Sequence, residues 1–202
     1  EAYLAAMAAA ANFAWANRQL IAAAVRETFA RVFGRSAERL GLHQVYDLSH
    51  NIAKFEQHLV GGRLEDVCVH RKGATRAFPA GHPDVPAPYR SVGQPVLIPG
   101  DMGRASFVAV GAQGAMEATF GSSCHGAGRL MSRHAAIRQL RGVDVARELA
   151  RQGIEVRAER RDLLAEEASI AYKDVEAVVR VSAAAGLVRP VARLRPLAVI
   201  KG

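Results

Sequence analysis

The opening segment of the chain carries apolar side chains at the spacing of a long amphipathic helix. Among helix-forming alanines, large apolar residues recur at three-, four- and seven-residue intervals: Leu4, Met7, Phe13, Leu20, Ile21, Val25, Phe29 and Val32. This spacing predicts helix over residues 2–33, as one helix or as two that break near Asn12–Asn17, with Gly34 at the C-terminal end.

After residue 41 the pattern changes to that of short strands. Alternating or β-branched runs, separated by glycine and proline, predict strands at Gln44–Leu48, Asp66–His70, Pro95–Ile98 and Ser106–Val110. Six of the eight prolines lie in Pro79–Pro99, which predicts a long irregular loop.

Helices return in the C-terminal part of the chain. The apolar spacing there predicts three helices, one strand and a strand-like tail: Leu130–Leu140, Val143–Arg151 and Lys173–Ala184, then Ile154–Arg157, then Val188–Ile200. Pro190 and Pro196 restrict the tail to a sheet edge or an irregular path.

The order of these elements predicts an α+β fold in which mixed short strands pack with helices. We expect a single domain over residues 1–202. It would consist of the long helix (2–33), a region rich in candidate site residues (42–133), and C-terminal helices and strand (134–202).

Composition narrows the class of protein. The 202 residues are 50% hydrophobic and 23% charged, which excludes wholesale disorder, and no apolar run is long enough to cross a membrane. Two cysteines are too few for a disulfide scaffold or a zinc ribbon, so we expect a reducing, cytoplasmic setting. The net charge of +8 favours a polyanionic partner such as nucleic acid or a nucleotide, but a GC-rich coding sequence also produces arginine- and alanine-rich proteins.

The first candidate for chemistry is the segment Tyr46–His58. If it is a strand, His50, Lys54, Glu56 and His58 share one face, and a face of that kind is not expected in the core. The His50 imidazole could bind a divalent metal, or it could be a hydrogen-bonded histidine at a strand end.

Two glycine-containing turns could bind phosphate. In Pro99–Ser106, Gly100 and Gly103 would let backbone N–H groups converge on an anion, with Arg104 adding charge; the alternative is an ordinary turn between strands. The segment Arg71–Arg76 is a compact basic turn suited to phosphate contacts, or else solvated surface.

The segment Gly121–Arg133 combines more reactive groups than a helix cap requires. Its glycines lead into a predicted helix whose N-terminus would attract an anion, and Arg129 and Arg133, one turn apart, could both bind that anion. His125 lies where a bound phosphate would be, and a neutral imidazole is a competent nucleophile toward phosphorus. Cys124 could instead act as a thiolate nucleophile or a soft metal ligand.

Together these motifs resemble one family, the RtcB-type RNA-splicing ligases. The matching segments follow the family's order over essentially the whole chain: Asn12–Gln19, Tyr46–Lys54 with Glu56 and His58, Arg71–Arg76, Pro99–Gly103 with Ser106, Cys124–Arg129, Met131–Arg133, Tyr172–Val175 and Arg195–Gly202. The resemblance implies an RtcB-like fold that is incomplete at its N-terminus, since the chain starts at Glu1 within a helical pattern and matches the family's C-terminal half.

The resemblance implies a GTP- and Mn²⁺-dependent ligase. It would join an RNA 3′-phosphate or 2′,3′-cyclic phosphate end to a 5′-hydroxyl end, in tRNA splicing or RNA repair. His125 matches the histidine that takes GMP from GTP as a phosphoramidate; GMP then passes to the RNA 3′-phosphate, and the 5′-hydroxyl displaces it. The implied partners are RNA (tRNA halves or broken RNA), an archease-type activator and the upstream half of the same ligase.

The same resemblance implies roles for further positions. His50 matches a metal ligand and Asn51 the neighbouring nucleotide contact. The remaining matches form a nucleotide-binding loop, a phosphate-side turn and a guanine side: Pro99, Gly100, Asp101, Met102 and Ser106; Gly126, Ala127, Gly128 and Arg129; Tyr172 and Lys201.

The chain also departs from the family's pattern. Ser123 replaces the usual threonine, and Phe107 replaces the common tyrosine. The family's upstream half supplies an aspartate, a cysteine, an Asn-His-Phe segment and another histidine for the metal, and none of these lies within the 202 residues. We therefore expect the chain alone to bind Mn²⁺ poorly. Two alternatives stay open: an RNA- or nucleotide-binding module without turnover, and a fragment with no independent role, which exposed apolar surface would support.

Overall fold

A computed structural model describes residues 1–160 and 162–201, which form a mixed arrangement of helices and strands. The α-helices are α1 Ala2–Phe33, α2 Gln113–Thr119, α3 Arg133–Gln139, α4 Val145–Arg151, α5 Asp162–Glu166 and α6 Val175–Ala184. The strands are β1 Asn51–Val60, β2 Arg63–Lys72, β3 Ala74–Arg76, β4 Pro95–Pro99, β5 Ser106–Gly111, β6 Ser122–Cys124, β7 Glu155–Ala158, β8 Val188–Leu194 and β9 Ala198–Lys201. The predicted α+β class is confirmed.

Helix α1 is one unbroken helix that ends as predicted, with Gly34 in the left-handed conformation (φ 61°). The predicted alternative of a break near Asn12–Asn17 is wrong, because the alanines around this segment favour helix and side chains within and beside it bond to the segment before β1. Trp15 Nε1 donates to Ser49 Oγ at 3.0 Å, and Arg18 forms an ion pair with Asp47 at 2.7 Å.

Helix α1, which lies wholly within the described residues, has no buried side chain. Its large apolar residues are exposed, Phe13 by 76%, Leu20 by 69% and Val32 by 70%. In addition, no helix in the described part of the chain is long and apolar enough to cross a membrane.

A long hairpin follows the helix. Strands β1 and β2 pair antiparallel from Asn51 opposite Lys72 to Val60 opposite Arg63, and the turn is Gly61–Gly62, both with positive φ. The predicted strand Asp66–His70 lies inside β2, but the predicted strand Gln44–Leu48 is wrong. That segment is irregular and runs back along α1, where side-chain contacts such as that of Arg18 with Asp47 replace strand pairing.

A three-stranded antiparallel sheet in the order β4–β5–β8 forms the main core. Its inward side chains pack against α2 and α6 in a cluster built largely from alanine and valine: Ala77, Val96, Ile98, Ala105, Ala109, Ala115, Ala127, Val175, Val179 and Val188. Strand β8 is an edge strand that contains Pro190, as predicted for this tail, and the register shifts beside Ala109 where the proline pairs.

The proline-rich segment Pro79–Pro99 is irregular as far as Gln94, apart from a short 3₁₀ helix at Ala87–Tyr89. Its last five residues differ from the prediction, because they form β4. The loop is anchored by its own apolar side chain, since Val85 is fully buried.

The C-terminal part has a second, smaller core formed by α4, α5 and the parallel pair β7–β9. Its buried residues are Val145, Leu149, Ile154, Leu164 and Ala168. Helix α4 begins two residues later than predicted because Asp144 is its N-cap, and α6 does so because Asp174 is its N-cap.

Candidate functional site

His50 and His125 lie in contact with each other and both line a cavity of about 400 Å³. Their ring centroids are 4.6 Å apart with 34° between the planes. The cavity is bounded by the middle of α1, by the irregular segment before β1 and by the end of β4; its lining includes Arg18, Asp47 and Pro99. Two residues that were predicted as separate candidates, 75 positions apart, therefore share one site.

His125 owes its position to two short paired strands. Strand β6 ends at Cys124 and pairs with β3, so that Ala74 lies opposite Cys124. Gly73, at the turn before β3, has a φ of 69°, and a Cβ atom on it would lie 3.7 Å from Nε2 of His125. The turn after β2 therefore passes directly beside the imidazole.

The environment of His125 favours the neutral imidazole. Partial burial of the ring lowers the pKa of His125 below the ordinary value of 6.5, and the nearby imidazole of His50 lowers it further. A histidine nucleophile must be unprotonated at the attacking nitrogen, so this shift extends its reactive form toward lower pH.

We predict that His125 titrates below pH 6.5 in the metal-free chain and that His50→Asn raises its pKa part of the way back. The rise should be partial because burial, the larger cause, remains. The two pKa values can be read from the ring proton resonances in an NMR titration. A value at or above 6.5 in the unsubstituted chain would contradict this environment.

The predicted anion cradle in Pro99–Ser106 is wrong for the three amides that would form it. Gly100 N donates to Ser106 Oγ at 3.3 Å, and the amides of Gly103 and Arg104 donate to Asp101 Oδ1 at 3.0 and 3.2 Å. The alternative prediction, a turn between strands β4 and β5, describes this loop.

The carboxylate of Asp101 is fully buried and organises that loop. Besides the two amides, it accepts from Arg104 Nε at 2.5 Å and from Ser169 Oγ. Arg104 in turn donates to the carbonyls of Ser169 and Tyr172, at 2.7 and 3.0 Å. These bonds connect the loop to the segment that carries Tyr172, while the neighbouring Met102 packs on the second core.

A second loop joins this one near the cavity. Ala127 N donates to Pro99 O at 2.9 Å, and a Cβ atom on Gly126 would lie 3.1 Å from the same carbonyl. The two predicted nucleotide loops are therefore in contact close to His125. Gly128 extends the second loop, and its carbonyl accepts from Lys173 N at 3.0 Å.

Arg129 does not act as the predicted fork on one helix with Arg133. Helix α3 begins only at Arg133, because Ser132 caps it, so Arg129 lies ahead of the helix and pairs with Tyr172 in an isolated bridge. Its guanidinium lies 4.9 Å from the Tyr172 ring and donates to the carbonyls of Met131 and Glu166 and to the Tyr172 hydroxyl.

Glu167 completes this cluster. The Tyr172 hydroxyl donates to Glu167 Oε2, and Arg133 Nε lies 3.4 Å from Glu167 Oε1. Burial, followed by the bond to Glu167, raises the pKa of the Tyr172 phenol above 10.0. The Tyr172 hydroxyl therefore remains protonated and can act as a donor at neutral pH.

The four side chains predicted to share one face of Tyr46–His58, namely His50, Lys54, Glu56 and His58, are not all at the surface. His50 is exposed and Lys54 is partly exposed, but Glu56 and His58 are buried, which contradicts the expectation for that face. The physical reason is Arg71 on the neighbouring strand, which forms a buried ion pair with Glu56. The prediction of Arg71 as part of a solvated or phosphate-binding turn is wrong for the same reason.

Of three other predicted site residues, Asn51 and Cys124 directly follow or precede the two histidines in sequence, whereas Lys201 belongs to the C-terminal strand pair. Asn51 is exposed at the start of β1 and lines, with His50 and Arg18, a neighbouring cavity of about 270 Å³. Lys201 ends β9 and lies beside β7, where its carbonyl accepts from Glu159 N. Cys124, the alternative nucleophile, packs against the main core with Sγ 3.4 Å from Ser182 Oγ.

Sequence reasoning missed the contribution of α1 to the cavity. Arg18 donates to both oxygens of Asp47, at 2.7 and 3.2 Å, and both residues line the cavity with His50. The only available signal was the resemblance of Asn12–Gln19 to the family, which gave no role to any residue of that segment.

Among residues 1–160 and 162–201, no group of three or more His, Cys, Asp or Glu side chains is placed to hold a metal ion. The exposed imidazole of His50 could supply one ligand, but one ligand does not make a stable site for a divalent metal. The described residues therefore do not form a complete metal site.

The chain is similar to known proteins along essentially its whole length. The family model described as tRNA-splicing ligase RtcB matches residues 1–202. The tRNA-splicing ligase RtcB of Thermococcus kodakarensis is 62% identical over 200 residues, which cover 99% of this chain and 42% of that protein. The proteins of the same name from Archaeoglobus fulgidus and Pyrococcus abyssi are 60% and 58% identical, again over 99% of this chain, and over 42% and 22% of their own lengths.

The chain thus spans less than half the length of these relatives. The motifs at His50, Pro99–Ser106 and Cys124–Arg129 meet in one region of the structure, and the family match extends over all 202 residues. The chain belongs to the RtcB family.

Proposed function

We propose that this chain carries the nucleotide-transfer part of an RNA ligase in which His125 accepts GMP from GTP. A neutral nitrogen of His125 attacks the α-phosphorus, the bond to the β-phosphate oxygen breaks, and pyrophosphate leaves. The phosphoramidate then passes GMP to an RNA 3′-phosphate end, and a 5′-hydroxyl end displaces GMP to join the strands. RNA with 3′-phosphate ends is the substrate in this proposal, and a 2′,3′-cyclic phosphate end would first be opened by water, which breaks the bond to the 2′-oxygen and leaves a 3′-phosphate.

The observation that carries the proposal is the single cavity shared by His50, His125 and the Pro99 loop. Its volume of about 400 Å³ lies within the range of small-ligand sites. The lowered pKa of His125 supplies the neutral imidazole that attack on phosphorus requires. The names of the relatives agree with a ligase acting in tRNA splicing.

The cluster around Tyr172 supports a guanine-side role only indirectly. Arg104 connects the loop after Pro99 to the carbonyl of Tyr172, so a nucleotide lying along that loop would extend from His125 toward Tyr172. We include Asn51, Pro99, Gly100, Met102 and Ser106 in the proposal as positions near this path. In this proposal Asp101 and Arg129 contribute by holding the loops in place. Lys201 is included because it matches a guanine-side position of the family.

The proposal includes Mn²⁺, for which this chain would supply a single ligand. Bound Mn²⁺ would neutralise triphosphate charge, and His50 would provide one imidazole ligand. The other ligands would come from the part of the relatives that this chain does not match.

We also propose that the exposed apolar side chains of α1 pack against that same part of the ligase. Phe13, Leu20 and Val32 are far more exposed than is usual for side chains of their size on one helix. The RNA would approach from the side of the basic turn, where exposed Lys72 precedes Gly73. An archease-type activator would act on the complete ligase.

Labelling with radioactive GTP tests the proposal. The chain is incubated with α-labelled GTP and Mn²⁺, alone and together with the N-terminal part of the Thermococcus kodakarensis relative, with γ-labelled GTP as the control. We expect acid-labile label from the α-phosphate only, and more of it when the N-terminal part is present. RNA binding without label under either condition would favour a binding module instead.

A further inference from the structure

The β1–β2 hairpin contains a buried ion pair outside the cavity that His50 and His125 line. Arg71 Nη1 and Nη2 donate to the two oxygens of Glu56, at 2.7 and 2.8 Å. The two side chains are only 1% and 3% exposed. His58 lies beside them, with Nε2 3.1 Å from Glu56 Oε2. None of these three residues lines the cavity that His50 and His125 share.

Arg71 uses its remaining donors on the segment that leads to His125. Nη2 donates to Phe120 O at 2.9 Å, and Nε donates to Ser122 Oγ at 2.9 Å. A weaker contact of 3.4 Å reaches Gly121 O. One guanidinium therefore contacts three consecutive residues, and the last of them begins β6, the strand that ends one residue before His125.

The segment held by Arg71 is a tight and unfavourable turn. Among the described residues, Phe120 is the one non-glycine residue with a positive φ, at 49°. Gly121 follows with a φ of 61°, and a Cβ atom on it would lie 2.3 Å from the Phe78 ring. The left-handed region is unfavourable for a non-glycine residue, so the turn needs contacts that hold it.

The backbone of Arg71 leads to the other side of the same imidazole. Two residues later the chain reaches Gly73, beside Nε2 of His125, and then enters β3, which pairs with β6. Arg71 thus connects the turn that leads into β6 and His125 with the strand that leads to Gly73 beside the ring. Small misplacements of a nucleophile can cost about a hundredfold in rate. The contacts of Arg71 should therefore affect the rate at which His125 accepts the nucleotide.

We propose that Arg71, oriented by Glu56, is a positioning residue that sets the imidazole of His125 for attack on the nucleotide. The inference rests on the proposed function for its kinetic consequence. Glu56 holds the planar guanidinium in one orientation through two parallel hydrogen bonds. Arg71 itself does not touch the nucleotide.

The substitution Arg71→Lys tests the proposal, because lysine keeps the charge but cannot bond Glu56, Phe120 and Ser122 in the same plane. Single-turnover transfer of GMP to the protein is measured in the chain combined with the N-terminal part of the Thermococcus kodakarensis relative. We expect the rate constant at saturating GTP to fall at least tenfold, with less than a threefold change in the half-saturating GTP concentration.

The matched control is Arg193→Lys. Arg193 forms an exposed ion pair with Glu176, with Nη2 2.8 Å from Oε1, and lies far along the sequence from Arg71. We expect it to leave both parameters unchanged. A merely structural role of Arg71 would lower the labelled fraction and the melting temperature, but protein that remains folded would react at the original rate constant. That result would overturn the proposal.

A second readout does not depend on GTP. In the chain itself, the NMR contact between the His125 ring and the Gly73 α-protons should be lost in Arg71→Lys and kept in Arg193→Lys. If the unsubstituted protein takes no label, the proposed function fails, and this contact alone then decides the positioning role. Its persistence in Arg71→Lys would overturn that role.

Discussion

Replacement of His125 by alanine should abolish GMP transfer and RNA joining by the assembled ligase. The imidazole is the only nucleophile that the proposal places in the cavity, and loss of a nucleophile costs more than about 10⁴-fold in rate. The measurement is joining of an RNA 3′-phosphate end to a 5′-hydroxyl end, with label from GTP followed in parallel. Binding of GTP should persist, because the loops around Pro99 and Ala127 are unaffected.

His134→Ala provides the matched control for that variant. His134 is exposed on α3, nine residues beyond His125, and its loss should leave both reactions unchanged. Retention of GMP labelling in His125→Ala would remove this residue from the chemistry. The half-buried Cys124 would then be the first alternative to test.

Substitution of Gly100 by alanine should strongly destabilise the chain even without any nucleotide. A Cβ atom at Gly100 would lie 2.0 Å from Ala105 O and 2.9 Å from a Val175 methyl carbon. Both neighbours belong to the main core, so relief requires movement of packed backbone. Overpacking of this kind costs about 3 kcal/mol, which corresponds to a fall of roughly 10 °C in Tm. Thermal unfolding followed by circular dichroism measures it.

Gly142→Ala is the comparison for that substitution. Gly142 has a φ of 81° but has open space around it, so only the backbone cost of about 1 kcal/mol is expected. If Gly100→Ala unfolded at the original temperature and lost only its response to GTP, close approach of a nucleotide, rather than chain packing, would explain the glycine.

Local elements of the fold could be predicted from local patterns. The period of apolar residues predicted α1 and α4, and the β-branched runs predicted β4 and β5, because those signals come from neighbouring residues. The irregular segment Gln44–Leu48 alternates like a strand but has no strand partner. Pairing depends on distant residues, and the alternation alone does not contain that information.

The composition of the site could be predicted better than its geometry. His50 and His125 were both candidates, yet their contact depends on where the hairpin and β6 meet, which no local pattern encodes. Glu56 and His58 were expected at the surface because their partner, Arg71, is fifteen residues from Glu56 along the chain. The assignment of Arg129 to a helix failed because Ser132, one of several polar residues that could start α3, is the residue that caps it.

The central claim is that His125 is the residue that accepts GMP. Its most direct test is to label the assembled ligase with GTP and Mn²⁺, digest it under alkaline conditions that preserve phosphoramidates, and locate the nucleotide by tandem mass spectrometry. The account predicts one GMP, attached to an imidazole nitrogen of the peptide that contains Cys124–Arg129. GMP on a lysine, or on a peptide outside this chain, would contradict it.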